Sequence, residues 1–229
     1  MIKSRKNERV IAVSVYCVSD IHGDLERFDK LLEKISFSEE DTMYVIGDVV
    51  DRGKEPIKLL IKIMETPNIT LLEGNHEEMM SLGLDPIHEK RILHIWQWNG
   101  GENTFRQFIR LEKEQREKIL DYINDLPDYM EITVGGKRFY LVHGCPSDDH
   151  RTRIWERVEK EEDYTELNLG TIIFGHTPTI MYMDVDKNDH LRIFHGKGVI
   201  GIDCGCGHSM IENRRLACIR LDDMKEYYV

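Results

Sequence analysis

The sequence is poor in the features that mark secreted and membrane proteins. Its 229 residues hold no apolar run near the roughly 20 residues that a membrane-spanning helix needs. The five cysteines are odd in number and scattered, unlike a disulfide framework. The basic start leads directly into an apolar run and lacks a small-residue cleavage pattern, so secretion is not expected. We therefore expect a reduced, cytoplasmic protein without a membrane partner or a targeting peptide.

Positive charge is also scarce. Lys and Arg number 31 against 42 Asp and Glu, which gives a formal net charge of −11. Such a surface disfavours the phosphate backbone of nucleic acids, so no nucleic-acid partner is expected, although one local basic pocket stays compatible with this charge. The length suits one domain or at most two. Since no linker composition interrupts the chain, we predict a single domain over residues 1–229.

Short apolar runs alternate with helical periodicity in the first third of the chain. Residues 10–18, 42–47 and 68–74 have the composition of buried strands. Residues 25–35 and 55–65 carry apolar side chains at the spacing of amphipathic helices, and Pro56 suits the first turn of the second helix. This β-α-β-α-β order predicts an α/β fold with parallel strands and crossover helices.

The rest of the chain departs from this alternation. Residues from about 77 to 126 are mostly helical in pattern, with a break at 99–101, and we interpret them as a helical excursion of the same domain. Residues 129–144 predict a hairpin around Gly135 and Gly136. Further short strands are predicted around the GTIIFGHTP segment and towards the end of the chain.

Polar clusters follow the predicted strands at the points where the strands end. In chain order they read SDIHG, GDVVDRG, GNHEE, VHG and FGHTP. Because ligands of open α/β sheets bind outside the carboxyl ends of the strands, we expect these clusters to converge. The candidate metal ligands that they contribute are Asp20, His22, Asp48, Asn75, His143 and His176.

This set of carboxylate, amide and imidazole groups predicts metal binding. It lacks a thiolate pair at zinc-finger spacing and suits Mn²⁺, Fe or Zn²⁺ in a catalytic site better than a structural zinc ion. Six ligands are too many for one catalytic metal with an open position, and they fit two metals that share a carboxylate. Two metals about 4 Å apart clamp a phosphate and acidify a bridging water. We expect two ions, with Mn²⁺ first and Fe or Zn²⁺ as alternatives.

Together the five clusters resemble the calcineurin-like metallophosphoesterases, and more narrowly the bacterial and phage branch of the PPP-type serine/threonine phosphatases. They occur in family order between Ser19 and Pro178. The resemblance implies an αββα fold, in which two mixed β-sheets are sandwiched between helices. It also implies that one metal is held by Asp20, His22 and a bridging Asp48, and the other by Asp48, Asn75, His143 and His176.

The resemblance further implies roles for residues beside the metals. His76 would be the general acid that protonates the leaving alkoxide, and Asp51 would orient it. Arg52 would hold the phosphate, as the planar fork of a guanidinium suits two phosphate oxygens. A second phosphate-binding arginine is expected after VHG, where IWER points to Arg157. The neighbouring Arg151 and Arg153 stay alternatives for that role.

Two details favour a phosphomonoesterase within this superfamily. Many phosphodiesterases of the superfamily that this chain resembles carry a further metal-binding histidine at the position of Pro178. In addition, Asp51 precedes Arg52 here, which is similar to the phosphatase branch. The predicted function is removal of phosphate from phosphoserine and phosphothreonine, with phosphotyrosine as a further candidate, by direct attack of metal-bound hydroxide. The alternatives are a symmetrical dinucleoside tetraphosphate hydrolase and a phosphoprotein-binding scaffold without turnover. The substrate is therefore a phosphoprotein or a phosphorylated small molecule.

Other reactive residue types receive a structural interpretation. His88, His94, His190, His195 and His208 match none of the clusters, and exposure or packing is expected for them. His150 is a candidate for the substrate rim. The CGC at 204–206 has the wrong spacing for a redox motif and is expected to pack at a strand end near the site. Trp96 and Trp98 are expected to be core or rim anchors.

Overall fold

A computed structural model describes residues 13–85, 87, 90–184, 186 and 189–229. Strands β1 (Val15–Val18), β2 (Thr42–Ile46) and β3 (Ile69–Leu72) are parallel neighbours, joined by helices α1 (Leu25–Ile35) and α2 (Pro56–Met64). This confirms the predicted β-α-β-α-β opening. The strand predicted at 10–18 is observed from Val15, and its residues 10–12 lie outside the described part of the chain.

Helix α1 shows how local sequence sets these boundaries. The Asp24 carboxylate accepts a hydrogen bond from the Arg27 backbone amide and so caps the first turn. Phe28, Leu31 and Ile35 recur at helical spacing and are buried. The helix ends where Ser36 adopts a left-handed conformation with φ 52°. Capping and periodicity therefore explain why the predicted bounds of this helix match the structure.

Four helices and a π-helical turn follow β3. They are α3 (Asn75–Leu84), α4 (Lys90–Trp96), the π turn Gln97–Gly101, α5 (Glu102–Phe108) and α6 (Lys113–Asn124). Gly100 has φ 109°, which only glycine adopts readily, so the predicted break at 99–101 falls on a real interruption of the helix.

The second sheet begins with the predicted hairpin. Strands β4 (Tyr129–Val134) and β5 (Lys137–Val142) pair antiparallel, and β6 (Thr171–Phe174), β7 (Phe194–His195) and β8 (Val199–Gly201) complete the order β4-β5-β6-β8-β7. Between β5 and β6 lie α7 (His150–Trp155) and the 3₁₀ turn Tyr164–Leu167, and Thr179–Met181 forms another 3₁₀ turn. Strands β9 (Ala217–Arg220) and β10 (Lys225–Tyr228) return to the first sheet, whose order is β10-β9-β1-β2-β3.

The two mixed five-stranded sheets face each other across an apolar layer. Ile46 and Ile219 of the first sheet meet Leu141 and Ile173 of the second within one buried cluster. Helices α1, α2, α3 and α6 pack on the outer face of the first sheet in a larger cluster. A third cluster, which includes Tyr182, covers the outer face of the second sheet. The predicted sandwich of two mixed sheets and helices is thus confirmed.

Two groups of parallel strands end at one edge of this sandwich. Within the first sheet β1, β2 and β3 run parallel, and within the second β5, β6 and β8 do so. Within the second sheet, the Gly175 amide donates to the His143 carbonyl at 3.0 Å and joins the loops after β5 and β6. Between the sheets, the His143 Nδ1 lies 2.9 Å from the Ile46 carbonyl at the end of β2. In the described part of the chain, no helix is long and apolar enough to cross a membrane.

Candidate active site

The predicted site residues lie in these strand-end loops, and the backbone there is unusual. The loops interlock through hydrogen bonds from the Asp20 amide to the Gly47 carbonyl at 3.2 Å and from the His22 amide to the Asp48 carbonyl at 2.9 Å. Non-glycine residues seldom adopt positive φ. Six of the predicted residues have φ between 48° and 70°: Asp20, His22, Asp48, Asp51, Arg52 and His176.

Glycines let the loops approach this closely. A Cβ on Gly47 would lie 2.6 Å from the His143 Nδ1, and a Cβ on Gly74 would lie 2.6 Å from the Asp48 backbone nitrogen. Both contacts are far too short for a side chain. The glycines of GDVVDRG and GNHE therefore serve to bring the GDVV loop, β3 and His143 into contact.

Asp48 lies at the centre of the site. One carboxylate oxygen lies 3.3 Å from the His143 Nε2 and accepts from the His76 backbone amide at 3.1 Å, while the other lies 3.5 Å from the His22 Nε2. Burial works to raise the pKa of Asp48, but His143 and His76 outweigh it and hold that pKa well below the usual range. Asp48 is therefore an anion at neutral pH, placed between two groups of imidazoles.

His143, His176 and Asn75 form one side of the site. The Asn75 Oδ1 lies 3.1 Å from the His143 Nε2 and 3.0 Å from the His176 Nδ1. The remaining ring nitrogens donate to backbone carbonyls, His143 to Ile46 at 2.9 Å and His176 to Trp155 at 3.0 Å. Such outward hydrogen bonds fix the ring orientation of metal-binding histidines. Burial lowers the pKa of His143, yet the Asp48 carboxylate outweighs this and raises it to about 10, whereas burial and His143 lower that of His176 to about 3.

Two groups of side chains place their ligand atoms within 4.8 Å of one another, namely His22, Asp48 and His76, and Asp48, His143 and His176. They share Asp48, which fits two ions bridged by one carboxylate. Asp20 lies outside both groups. Its two oxygens accept from the His176 backbone amide at 3.2 and 3.0 Å, and burial raises its pKa to about 7.

Further buried polar atoms support the fit of metals to this site. Among the described residues, the buried side-chain atoms without a hydrogen-bond partner are the Ser19 Oγ and the Asp203 Oδ2. Ser19 adjoins Asp20, and Asp203 is close enough to Asp20 and Asp48 for those carboxylates to raise its pKa further after burial has raised it. A cluster of buried carboxylates with orphaned oxygens is costly unless positive charge compensates it. The donor set and its charge therefore fit bound cations.

His76 and Asp51 form a buried pair at the start of α3. The His76 Nδ1 lies 2.6 Å from the Asp51 Oδ2, which also accepts from the Trp96 Nε1 at 2.8 Å. The other Asp51 oxygen accepts from the Thr104 hydroxyl at 2.6 Å. A carboxylate that only accepts requires the proton on the His76 Nδ1, so Asp51 sets the tautomer of the ring.

Arg52 lies at the solvent-facing side of this pair. Its guanidinium donates to the Nε2 atoms of His22 and His76, each at 2.9 Å, and to that of His208 at 3.2 Å. A guanidinium has no acceptor, so the His76 Nε2 is unprotonated while this contact persists. Arg52, His22 and His76 therefore share one small volume beside Asp48.

The arginines after VHG differ in their surroundings. Arg153 has a structural role, since its guanidinium donates to the Asp128 carboxylate at 2.7 Å and to the Ser147 carbonyl at 2.8 Å. Helix α7 ends at Trp155, so Arg157 lies beyond it rather than on a charged helix face. Arg157 is exposed and close enough to His176 to lower the pKa of that ring, after burial and His143. Of Arg153 and Arg157, the latter is therefore the arginine that lies near the His176 ring without being tied to another carboxylate in the described part of the chain.

Sequence interpretation missed several supporting residues. Glu77, fully buried, accepts from the backbone amides of Asp48 at 2.8 Å and Val49 at 2.9 Å and so shapes the GDVV loop. Its place in GNHEE was the available signal. Thr104 and His208 sit in no cluster and give no sequence signal. Trp96 is a core anchor as expected, while Trp98 is 88% exposed. His88 lies outside the described residues.

The family model of the calcineurin-like phosphoesterases matches residues 13–210 of the chain. The chain is 27% identical over 186 residues to serine/threonine-protein phosphatase 1 of Salmonella typhimurium. This alignment covers 74% of this chain and 81% of that protein. It is 39% identical over 188 residues to the symmetrical bis(5'-nucleosyl)-tetraphosphatase of Acidovorax ebreus. That alignment covers 79% of this chain and 63% of the Acidovorax protein.

A shorter match links the chain to serine/threonine-protein phosphatase 2 of Escherichia coli, at 28% identity over 133 residues, and it spans only 57% of that relative's length. Among solved structures, a metallophosphoesterase from Sphaerobacter thermophilus superposes with a TM-score of 0.58 at 18% identity, covering 95% of this chain and 88% of the other. The cold-active protein-tyrosine phosphatase of a Shewanella species gives 0.58 at 17% identity, with 94% and 80% covered. At these identities the structural likeness shows a common fold.

Proposed function

The chain belongs to the calcineurin-like phosphoesterase family, and on this premise we propose that it is a metal-dependent phosphomonoesterase of phosphoserine and phosphothreonine proteins, with phosphotyrosine as a further candidate. The observation that carries the proposal is the buried His76–Asp51 pair at 2.6 Å with Arg52 against it. An acid for the leaving group beside a phosphate-binding fork is what ester cleavage needs and what a phosphoprotein-binding scaffold does not.

The metal-binding residues of the proposal surround Asp48. Two divalent ions, with Mn²⁺ expected, would supply positive charge for the phosphate and an acidified water. Asp48 would bridge them, and the backbone carbonyls that accept from His22, His143 and His176 would hold these rings in place. Residues proposed to hold the ions are Asp20, His22, Asp48, Asn75, His143 and His176.

Arg52 and His76 would act together on the substrate. Arg52 exchanges its imidazole partners for two phosphate oxygens, because a charged acceptor binds a guanidinium more strongly than a neutral ring nitrogen. This frees the His76 Nε2 to take up a proton from solvent, and Asp51 would stabilise the resulting imidazolium through the Nδ1 contact of 2.6 Å. His76 then donates the Nε2 proton to the leaving oxygen. Arg157, which lies near His176, would be the second arginine that binds the phosphate.

A second candidate function is symmetrical hydrolysis of dinucleoside tetraphosphates. The observation that favours it is the 39% identity to the Acidovorax enzyme over 79% of this chain. The same residues would serve both reactions, since each cleaves a phosphorus–oxygen bond. The difference lies in the leaving group, which is the alkoxide of a side chain in one case and a nucleoside diphosphate in the other.

A substrate panel tests both candidates. Protein stripped of metal and reloaded with Mn²⁺ is assayed on p-nitrophenyl phosphate, on matched phosphoserine, phosphothreonine and phosphotyrosine peptides, and on diadenosine tetraphosphate. Peptide turnover with the higher kcat/KM supports the phosphatase. Preference for diadenosine tetraphosphate assigns the chain to the second candidate, and the absence of Mn²⁺-dependent turnover on every substrate would refute both.

Metal binding should release protons. In the metal-free protein His143 has a pKa raised to about 10 and Asp20 one raised to about 7, so at pH 7 the first is protonated and the second about half so. Metals bind only the deprotonated groups. The affinity for Mn²⁺ should therefore rise from pH 6 to pH 8, with release of about one proton or more per chain at pH 7.

Titration calorimetry in two buffers of different ionisation enthalpy measures this release. The apparent binding enthalpy should differ between the buffers in proportion to the protons released. Equal enthalpies in the two buffers, or an affinity independent of pH, would contradict the assigned protonation of His143.

A further inference from the structure

A cavity of about 430 Å³ adjoins the candidate active site. His22 and Arg52, which belong to that site, form one end of it, and the amino-terminal turn of α1 and the loop 53–55 form its walls. Cys206, Gly207 and Ser209, from the loop between β8 and β9, complete its lining. The cavity therefore opens directly onto the place where Arg52 would hold the phosphate.

The lining of this cavity is rich in cations. Besides Arg52 it includes the four side chains Arg27, Lys30, Lys54 and Arg214, against the carboxylates of Asp24, Glu26 and Glu55. This excess of positive charge stands out in a chain of net charge −11. A positive cavity on an acidic protein concentrates anions at that one place.

Besides Arg52, two of these cations form no ion pair with a carboxylate among the described residues. Among the described residues, no hydrogen bond or ion pair engages the Lys54 ammonium, and Arg214 donates through Nη1 only to the backbone carbonyls of Ile211 and Ser209, at 3.2 and 3.4 Å. Lys30, by contrast, pairs with Glu26 at 2.6 Å. Lys54 and Arg214 are therefore the cations available to a bound anion.

Hydrogen bonds and close backbone packing connect the segments that form the walls of the cavity. The Glu55 amide donates to the Gly23 carbonyl at 3.0 Å, and a Cβ on Gly23 would lie only 3.0 Å from the Pro56 nitrogen. Lys54 thus projects from a loop that is packed tightly against the SDIHG loop. Arg27 is positioned by Asp24 at 3.6 Å and donates to the Cys206 Sγ at 3.8 Å. The walls thus fix the backbone that carries Lys54 and the side chain of Arg27 before a ligand arrives.

We propose that this cavity is a second anion subsite, in which Lys54 and Arg214 bind a phosphate group of the substrate other than the one that is cleaved at Arg52. This inference rests on the proposed phosphoesterase function and narrows its substrate class to molecules with two or more phosphate groups. Two sources offer that chemistry: a peptide phosphorylated at neighbouring positions and a nucleoside polyphosphate. A substrate with one phosphate and a neutral remainder leaves the subsite unused.

The test compares the double variant Lys54→Gln/Arg214→Gln with wild type and with Lys118→Gln, an exposed lysine of α6 that pairs with Glu114. Binding of tripolyphosphate to metal-free protein is measured by calorimetry, so that the result does not depend on turnover. The double variant should bind about tenfold or more weakly, the scale of losing hydrogen bonds to a charged group. Lys118→Gln should bind within about twofold of wild type, because solvent and salt screen a distant surface charge.

Kinetics on Mn²⁺-loaded protein then separate the two sources. The substrates are p-nitrophenyl phosphate, singly and doubly phosphorylated versions of one peptide, and diadenosine tetraphosphate. In wild type, kcat/KM should be higher for the doubly than for the singly phosphorylated peptide or highest for the dinucleotide, and the double variant should lose that advantage. The substrate that shows the loss identifies the source of the second phosphate.

Failure of the subsite and failure of the proposed function give different results. If Mn²⁺-loaded wild type hydrolyses p-nitrophenyl phosphate but tripolyphosphate binding is the same in the double variant, the subsite is wrong and the phosphoesterase assignment stands. If no substrate is hydrolysed while tripolyphosphate binding depends on Lys54 and Arg214, the proposed function fails. Should the double variant be unstable by thermal unfolding, Lys54→Gln alone gives the same comparison, since the hydrogen bonds of Lys54 among the described residues are made by its backbone carbonyl and not by the ammonium that the substitution removes.

Discussion

Replacing His76 with asparagine should lower kcat on a phosphoserine peptide by about 10²- to 10⁴-fold, the usual contribution of a general acid. Asparagine retains a donor of similar reach but cannot give up a proton. The loss should be smaller for p-nitrophenyl phosphate, because its leaving group is stable as an anion and needs little protonation. Initial rates on both substrates with Mn²⁺-loaded protein measure the difference.

The metal content of the same variant decides between two roles. The His76 Nε2 also lies 3.8 Å from the Asp48 Oδ2, so the ring is near enough to be a ligand itself. If His76 acts only as the acid, the His76→Asn variant should keep the wild-type metal content. Loss of one ion per chain together with equal losses on both substrates would overturn the acid and make His76 a ligand. His195→Asn, at an exposed ring paired with Glu226, is the matched control and should change neither quantity.

Replacing Asp48 with asparagine should abolish binding of both ions in the same step. The carboxylate contacts the imidazoles of His22 and His143, so its loss removes the charge that the two metal positions share. The expected fall in kcat is at least about 10³-fold, the scale of losing a group that stabilises the charge of the transition state. Metal content and Mn²⁺-dependent rates measure the two effects.

A second readout concerns the metal-free Asp48→Asn protein. Asp48 is the main reason that the pKa of His143 is raised to about 10, since burial alone lowers it. The ring should therefore lose its proton at a much lower pH in the variant, as followed by nuclear magnetic resonance of the histidine side chains. Asp41→Asn, which alters another buried carboxylate that accepts from the Ser14 amide, should leave metal content and His143 unchanged. One ion retained per chain in Asp48→Asn would contradict the bridging role.

Much of the fold could be predicted because its elements are encoded locally. Helix α1 has periodic apolar residues, an acidic cap and a matching end, and the parallel order of β1, β2 and β3 follows from the crossover helices between them. The convergence of the strand-end clusters followed in turn from that topology. Asp48, Asn75, His143 and His176 lie together as expected.

The supporting residues could not be predicted, since their partners are distant in sequence. Trp96 and Thr104 reach Asp51 from helices 45 and 53 residues further on, and no local pattern announces such a contact. His208, interpreted from sequence as a matter of exposure or packing, contacts Arg52 because the loop after β8 folds over the site. The basic cavity likewise draws its lining from three separate segments. Contacts between residues that are distant in the sequence cannot be inferred from local periodicity or from composition.

The left-handed backbone of the strand-end loops has a consequence for how this protein would change under selection. Six non-glycine residues of the site adopt positive φ, at about 1 kcal/mol each relative to glycine. Glycine at these positions would relax the loops while removing the carboxylate, imidazole or guanidinium. Selection for thermal stability alone would therefore replace these residues with glycine first. The resulting variants would have a higher free energy of unfolding and would have lost the site.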